Sequence, residues 1–348
     1  MMTKIYADTP GCIDHLKFLG SIETSNSLDD NMDYAIFHLP YPLSQDNDFR
    51  NRLSEAVKKC QHISVLVSEL HNETVKFIRE HQHPKISYFT CGFVKNLETN
   101  KWMDWLHRSS VFYKNNLQIL DQLDPYSVKS KTFDILLGRS KPHRSIVYNH
   151  IKGNDLDDRV IMTYLKGQDD IPLQKQDQLG WLWEPGIVQL SNEFQWTVTS
   201  IRYQNTAMSL SQVVPISIYN QTAYSVVAET NYDNHYSFFT EKIVKPILAE
   251  RLFLVFSGQH YLHNLQNLGF RTFDGIIDET YDTIADHEQR FKLVLEQIHY
   301  LLDQPQEEIL SKIKTITEHN KRIMLETDWY GDFARELRAV LLEHAGQN

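Results

Sequence analysis

Val226–Gly258 reads VVAETNYDNHYSFFTEKIVKPILAERLFLVFSG, and the order of residue types along it sets the fold class. Ala223–Glu229 (AYSVVAE) is β-branched and apolar and reads as a buried strand ending in a carboxylate; Leu252–Ser257 (LFLVFS) reads as a second. Between them, Thr240 suits the cap of a helix that begins with Glu241 and Lys242. Strand, helix, strand implies a crossover onto a parallel sheet. Such sheets bind ligands beyond the carboxyl ends of their strands, where Glu229 lies. A helix N-terminus there offers free N–H groups and a positive dipole end to a phosphate, and Lys242 adds a full charge. Glu229 and Glu241 suit ribose or sugar hydroxyls. Glu241 and Lys242 also read as a carboxylate favouring the helix dipole beside a solvated lysine. Pro246 cannot donate to the Lys242 carbonyl, so a strained or kinked helix is expected.

The same alternation extends in both directions. Upstream, Asp33–Leu39, His62–Leu70 and Pro84–Cys91 read as strands, the last stopped by Gly92. The helical patterns Asp46–Cys60 and Asn72–Glu80 separate them, with Asn72 as the expected N-cap. Residues 1–125 therefore form one α/β domain, and the polar, proline-containing Leu123–Lys131 is the linker. The pattern restarts with strands at Thr132–Gly138 and Val160–Leu165, flanking a helix opened by Pro142. Residues 131–326 form the second α/β domain, and 327–348 a C-terminal helix. The segment 166–212 resists assignment and reads as an irregular insertion. Its Trp181, Trp183 and Pro185 suit either a sugar-stacking platform or a packed insertion.

Composition narrows the function. Lys and Arg number 35 against 45 Asp and Glu, a net charge of −10, which lacks the basic footprint of non-specific nucleic-acid binding. An anionic ligand therefore needs a local cluster of cations. Cys12, Cys60 and Cys91 are widely spaced and odd in number, against a disulfide framework or a zinc knuckle. No signal-peptide pattern and no membrane-length apolar run is visible, so a cytoplasmic protein without stable membrane insertion is expected.

The cation cluster is Gly138–Arg144, GRSKPHR, with Arg139, Lys141 and Arg144 between a strand and a helix. Arginine forks onto two phosphate oxygens, which lysine cannot do. A solvated basic loop is the alternative. The stretch has neither GxGxxG nor P-loop spacing. Asp155–Asp158 (DLDD) reads as a surface turn rather than a metal site, and no HExxH or GxSxG occurs. The acidic stretch Asp278–Arg290 reads as a loop entering a helix, from which Asp282 could approach the crevice.

The composite resembles the donor-binding region of the α-1,3-fucosyltransferases, in which a strand ends Glu-Asn, a short loop carries Tyr, Thr-Glu-Lys opens a helix, and the next strand ends in Gly. Glu229, Tyr236, Thr240, Glu241, Lys242 and Gly258 fall on that pattern. Thr230 departs from it where the family has Asn, and Pro246 has no counterpart. An arginine on the first helix of the C-terminal domain binds the donor diphosphate in that family, and Arg144 occupies the matching place. Residues 132–300 carry the resemblance; the N-terminal half agrees only in the order of its elements. It implies two Rossmann-like domains facing a cleft, the GT-B arrangement, with a helical C-terminal tail. It also implies a metal-independent, inverting transferase without a resident cofactor. The implied donor is a nucleoside-diphosphate sugar, GDP-linked and with fucose as that family's sugar; the acceptor is a glycan or other hydroxyl. The general base is expected after an N-domain strand, where Glu69 stands in VSELHN, with His38 as second candidate. The alternative is a non-catalytic nucleotide- or glycan-binding module on the same fold.

Overall fold

In a computed structural model, residues 4–9, 12, 23–25, 27–29, 32–139, 141–165, 195–196, 200–203 and 206–345 are described. They form two units. Unit 1 takes in Met1–Asp104, His235–Phe238 and Asp328–Asn348; unit 2 takes in Trp105–Asn234 and Phe239–Thr327.

Unit 1 is built on strands β1 (Lys4–Ala7), β2 (Glu23–Ser25), β3 (Tyr34–His38), β4 (His62–Val67), β5 (Ile86–Thr90), β6 (Gly92–Val94) and β7 (Asn100–Lys101). Six of them pair in parallel in the order β2-β1-β3-β4-β5-β7. Every residue of β4 is buried, which its unbroken HISVLV run permits in a sheet covered on both faces. Helix α1 (Phe49–Lys59) buries Phe49, Leu53 and Ala56, and α2 (Asn72–Glu80) buries Val75, Phe77 and Ile78. Phe49 meets Phe37 of β3 edge-on at 5.7 Å and Phe77 at the same distance. Asn72 is the first residue of α2, and His71 takes the capping position expected of Asn72.

Unit 2 begins within α3 (Asp104–Lys114) and carries β8 (Lys131–Arg139), α4 (Pro142–Gly153) and β9 (Val160–Leu165). The segment 166–212 contributes β10 (Gln195–Trp196), β11 (Ser200–Tyr203) and β12 (Thr206–Ser209), an antiparallel sheet where irregular structure was expected. Trp181, Trp183 and Pro185 lie outside the described residues. Next come β13 (Thr222–Ala228), β14 (Tyr236–Phe238), α5 (Glu241–Leu248), β15 (Phe253–Phe256), α6 (Tyr261–Gln266), α7 (His287–Asp303) and α8 (Gln306–Glu326). The main sheet of unit 2 is parallel in the order β15-β13-β8-β9. The chain leaves β8 towards β9 on one side and leaves β13 towards β15 on the other, so the crevice between the carboxyl ends of β8 and β13 is a topological switch point.

A buried ion pair ties this sheet together. Arg251 Nη2 donates to Asp134 Oδ1 at 2.8 Å, Nε to Ser225 Oγ at 2.9 Å and Nη1 to the Thr222 carbonyl at 2.8 Å. One guanidinium thus joins β8, β13 and the entry to β15, with its face 4.4 Å from the Tyr219 ring.

The α/β class read from the sequence is that of the structure, with helices filling its C-terminal region. The unit boundaries differ from the sequence domains. Residues 105–125 fall in unit 2, because Tyr113 OH accepts from the Val214 N–H at 2.6 Å and Gln212 Nε2 donates to Ser109 Oγ at 2.8 Å. Strand β14 pairs antiparallel with β6 and belongs to unit 1. The last helix, α9 (Trp329–Ala345), also belongs to unit 1, where Phe333 packs on Phe89 and Trp102. Among the described residues, no helix is long and apolar enough to cross a membrane. The three cysteines are free and buried.

Candidate functional site

The switch point of unit 2 gathers cations from two helices onto the residues that follow β13. Lys141, the N-cap of α4, sends Nζ to the Thr230 carbonyl at 2.6 Å. Lys242, in the first turn of α5, sends Nζ to Thr230 Oγ1 at 3.2 Å. Arg144, only 4% exposed, sends Nη2 to the Glu229 carbonyl at 3.1 Å. Lys245 is a fourth cation, buried against Glu241, and burial lowers its pKa to about 8. Four bases around two carboxylates, Glu229 and Glu241, leave an excess of positive charge that suits an anion.

The local sequence explains the convergence. Pro142 opens α4 directly after β8, so Lys141, His143 and Arg144 sit on its first turn. Thr240 caps α5 with its side-chain oxygen 3.3 Å from the Lys242 N–H. Helix α5 runs through Pro246 rather than breaking there; it ends at Leu248, with Arg251 N–H donating back to the Pro246 carbonyl at 3.0 Å.

Glu229 is 1% exposed and turned inward. Its Oε2 accepts from Thr240 Oγ1 at 2.7 Å and its Oε1 from Tyr261 OH at 2.7 Å. Burial raises its pKa, against the pull of Lys242. Glu241 is also buried, but Lys242 and Lys245 outweigh that and hold its carboxyl below the usual range; Lys242 Nζ stands 2.6 Å from its Oε1. The two carboxylates therefore fix the α5 N-terminus and its lysines in place.

His143 was not singled out in the sequence, although it lies within the quoted GRSKPHR. It is fully buried, with Nε2 2.8 Å from the Glu229 carbonyl. A carbonyl only accepts, so Nε2 carries the proton. Burial holds its pKa near 3, leaving a neutral ring whose Nδ1 is buried without a hydrogen-bond partner. Tyr164, a neighbour of Arg144, bonds Ser145 Oγ at 2.7 Å and stacks on Tyr148.

The other expected residues lie elsewhere. Tyr236 is buried in β14 of unit 1, paired with Val94. Glu69 follows β4 in unit 1, its side chain 32% exposed and its Oε2 3.3 Å from His71 Nε2. His38 Nε2 meets Ser68 Oγ at 3.1 Å. The side chain of Arg139 lies outside the described residues. Asp282 caps α6, accepting from the Leu262 and His263 N–H groups at 2.9 and 3.1 Å. Among the described residues, no three of His, Cys, Asp and Glu stand together as a metal site.

The sequence matches no protein-family description and no curated protein. Among solved structures, the chain is similar to the catalytic domain of starch synthase IV from Arabidopsis thaliana bound to ADP and acarbose. That similarity is 8% in identity with a TM-score of 0.39, over 97% of this chain and 76% of that one. It is also similar to α,α-trehalose 6-phosphate synthase from Burkholderia multivorans, at 11% identity and a TM-score of 0.42, over 91% of this chain and 72% of that one. At those values neither likeness bears on what the site does.

Proposed function

We propose that the chain is a glycosyltransferase of the GT-B kind that moves a sugar from a nucleoside-diphosphate donor to a hydroxyl acceptor. The supporting observation is the meeting of Lys141, Arg144 and Lys242 on residues 229–230 at the β8/β13 switch point. A diphosphate carries the charge those cations match, and two helix N-termini open onto the same place. The resemblance of Val226–Gly258 to fucosyltransferases favours a GDP-linked donor, with fucose as the sugar.

In this reading the acceptor oxygen bonds to the anomeric carbon from the side opposite the leaving group, so configuration inverts. The bond from that carbon to the diphosphate oxygen breaks, and its electron pair leaves with the diphosphate. Arg144, Lys141 and Lys242 stabilise the departing charge, the role a metal fills in other transferases. Glu69 takes the acceptor proton.

The test is a thermal-shift panel of GDP, UDP, ADP, CMP and NAD, with and without EDTA, since a ligand of the folded state raises Tm by mass action. A GDP-selective shift unmoved by EDTA is expected. Arg144→Ala and Lys242→Ala each weaken that binding about ten- to a hundredfold, the value of a lost charge-assisted hydrogen bond. A UDP-only shift keeps the transferase and removes the GDP donor. No shift with any nucleotide overturns the reading, and binding without transfer over a broad acceptor panel leaves a binding module.

A further inference from the structure

The carboxyl ends of β3 and β4 carry a second polar constellation, contained within unit 1. Glu69 lies two residues before His71, which caps the start of α2. Histidine is not among the favoured capping residues, which are Ser, Thr, Asp and Asn. Capping alone therefore does not account for it.

His71 and Thr74 form a capping box: the His71 N–H donates to Thr74 Oγ1 at 2.8 Å, and the His71 side chain accepts from the Thr74 backbone N–H. Nε2 of the same ring lies 3.3 Å from Glu69 Oε2. With Nε2 turned to the carboxylate, Nδ1 is the atom left for the Thr74 N–H. Nδ1 is thus an acceptor, and the ring proton sits on Nε2, donated to Glu69. Tyr41 lies flat on the imidazole, centroids 3.9 Å apart and planes 5° from parallel. Phe238 meets its edge at 6.1 Å. The Tyr41 loop is itself tied to α2, where the Leu43 N–H donates to Glu73. Ring position and tautomer are both fixed, while Glu69 keeps part of its surface open.

We propose that His71 is the positioning residue for Glu69. Its Nε2–H holds Oε2, so Oε1 is presented as the atom that takes the acceptor proton. This rests on the transferase reading above, in which Glu69 is the base. Tyr41 acts one step further out, holding the imidazole by stacking.

Three substitutions at position 71 separate positioning from capping. A glutamine side chain carries an N–H near the place of imidazole Nε2; asparagine reaches only the place of Nδ1, yet it is an excellent N-cap. His71→Asn is therefore expected to keep the cap, to lower Tm no more than His71→Gln, which loses the same stack on Tyr41, and to lose kcat about tenfold or more, part of the 10²–10⁴ that a general base supplies, with the donor KM unchanged. His71→Ala loses kcat likewise, and His71→Gln recovers most of it. Tyr41→Phe keeps the stack and the rate.

Nitrogen-15 imidazole spectra give a readout that needs no turnover. Wild-type His71 is expected as the Nε2–H tautomer, which the Thr74 N–H preserves in Glu69→Ala; what that variant removes is the hydrogen bond from Nε2–H, read as a shift of its nitrogen and proton resonances. An Nδ1–H tautomer in the wild type overturns the proposal, as do Asn and Gln variants of equal activity. If no acceptor yields any transfer, the transferase reading is what fails, and an Nε2–H resonance that does not move in Glu69→Ala still overturns the claim that His71 holds Glu69.

Discussion

Glu279 is mostly buried in unit 2, with Oε1 accepting from the Phe273 N–H at 2.6 Å. Burial, with Asp274 and Asp282 nearby, raises its pKa from 4.5 to about 7. The folded state therefore holds this proton more tightly than the unfolded chain does. Its contribution is fully present below about pH 4.5 and is lost as pH rises through 7. A shift of that size is worth about 3 kcal/mol as an upper figure. Glu279→Gln removes the titration and keeps an oxygen for the Phe273 N–H. Urea unfolding is expected to show the variant gaining on the wild type between pH 5 and 7 and remaining more stable at pH 8. A stability difference that stays constant from pH 5 to 8 would contradict this account. The same physics governs His143 and Lys245 in the candidate site: burial disfavours charge on each, and both shifts run towards the neutral form.

At the scale of elements, the contact between β6 and β14 depends on one missing side chain. A Cβ on Gly92 would lie 1.9 Å from the Ser237 carbonyl oxygen, a backbone atom that cannot swing away. Gly92→Ala is expected to part the two strands and cost about 2 kcal/mol, in the range of overpacking. Hydrogen exchange at residues 236–238 should quicken, and unchanged protection there would argue against so close an approach. In the sequence Gly92 looked only like the end of a strand, because close approach of a distant segment leaves no periodic trace. Strands that are long, apolar and buried were legible: β9 and β13 sit where VIMTYL and AYSVVAE placed them, within a residue. Two- and three-residue strands such as β14 and β7 were not, since they pack too few side chains to show a period. In the site, Thr240 and Arg144 were legible because a cap and a helix opened by proline have local signatures. His143 was not, because its role comes from the carbonyl of Glu229, 86 positions away.

At the scale of the whole molecule, the chain passes repeatedly between its units, and its last helix joins the first one. Phe333 and Leu337 of α9 are fully buried with Ile36, Leu66, Phe89 and Trp102, side chains of the β3-β4-β5 sheet and its neighbour. Glu336 accepts from the Lys101 N–H at 2.6 Å, so α9 also closes over the edge strand β7. The C-terminal helix was expected over 327–348 but its destination was not, since a helical pattern does not say which surface the helix covers. Truncating Phe333 leaves a cavity beside Phe89, Trp102 and Tyr330 and should cost about 3–5 kcal/mol. With two separate sheets and cores, that loss is expected to fall on unit 1. Hydrogen exchange of Phe333→Ala should therefore show lost protection in β3, β4 and β5, while β8, β13 and β15 stay near their wild-type values. If the proposed donor reading holds, GDP added to the same variant raises protection in β13 and α5 and leaves β4 exposed. Equal loss of protection in both sheets would instead mean that the two units unfold as one, and that α9 stabilises the candidate site of unit 2 together with the sheet it covers.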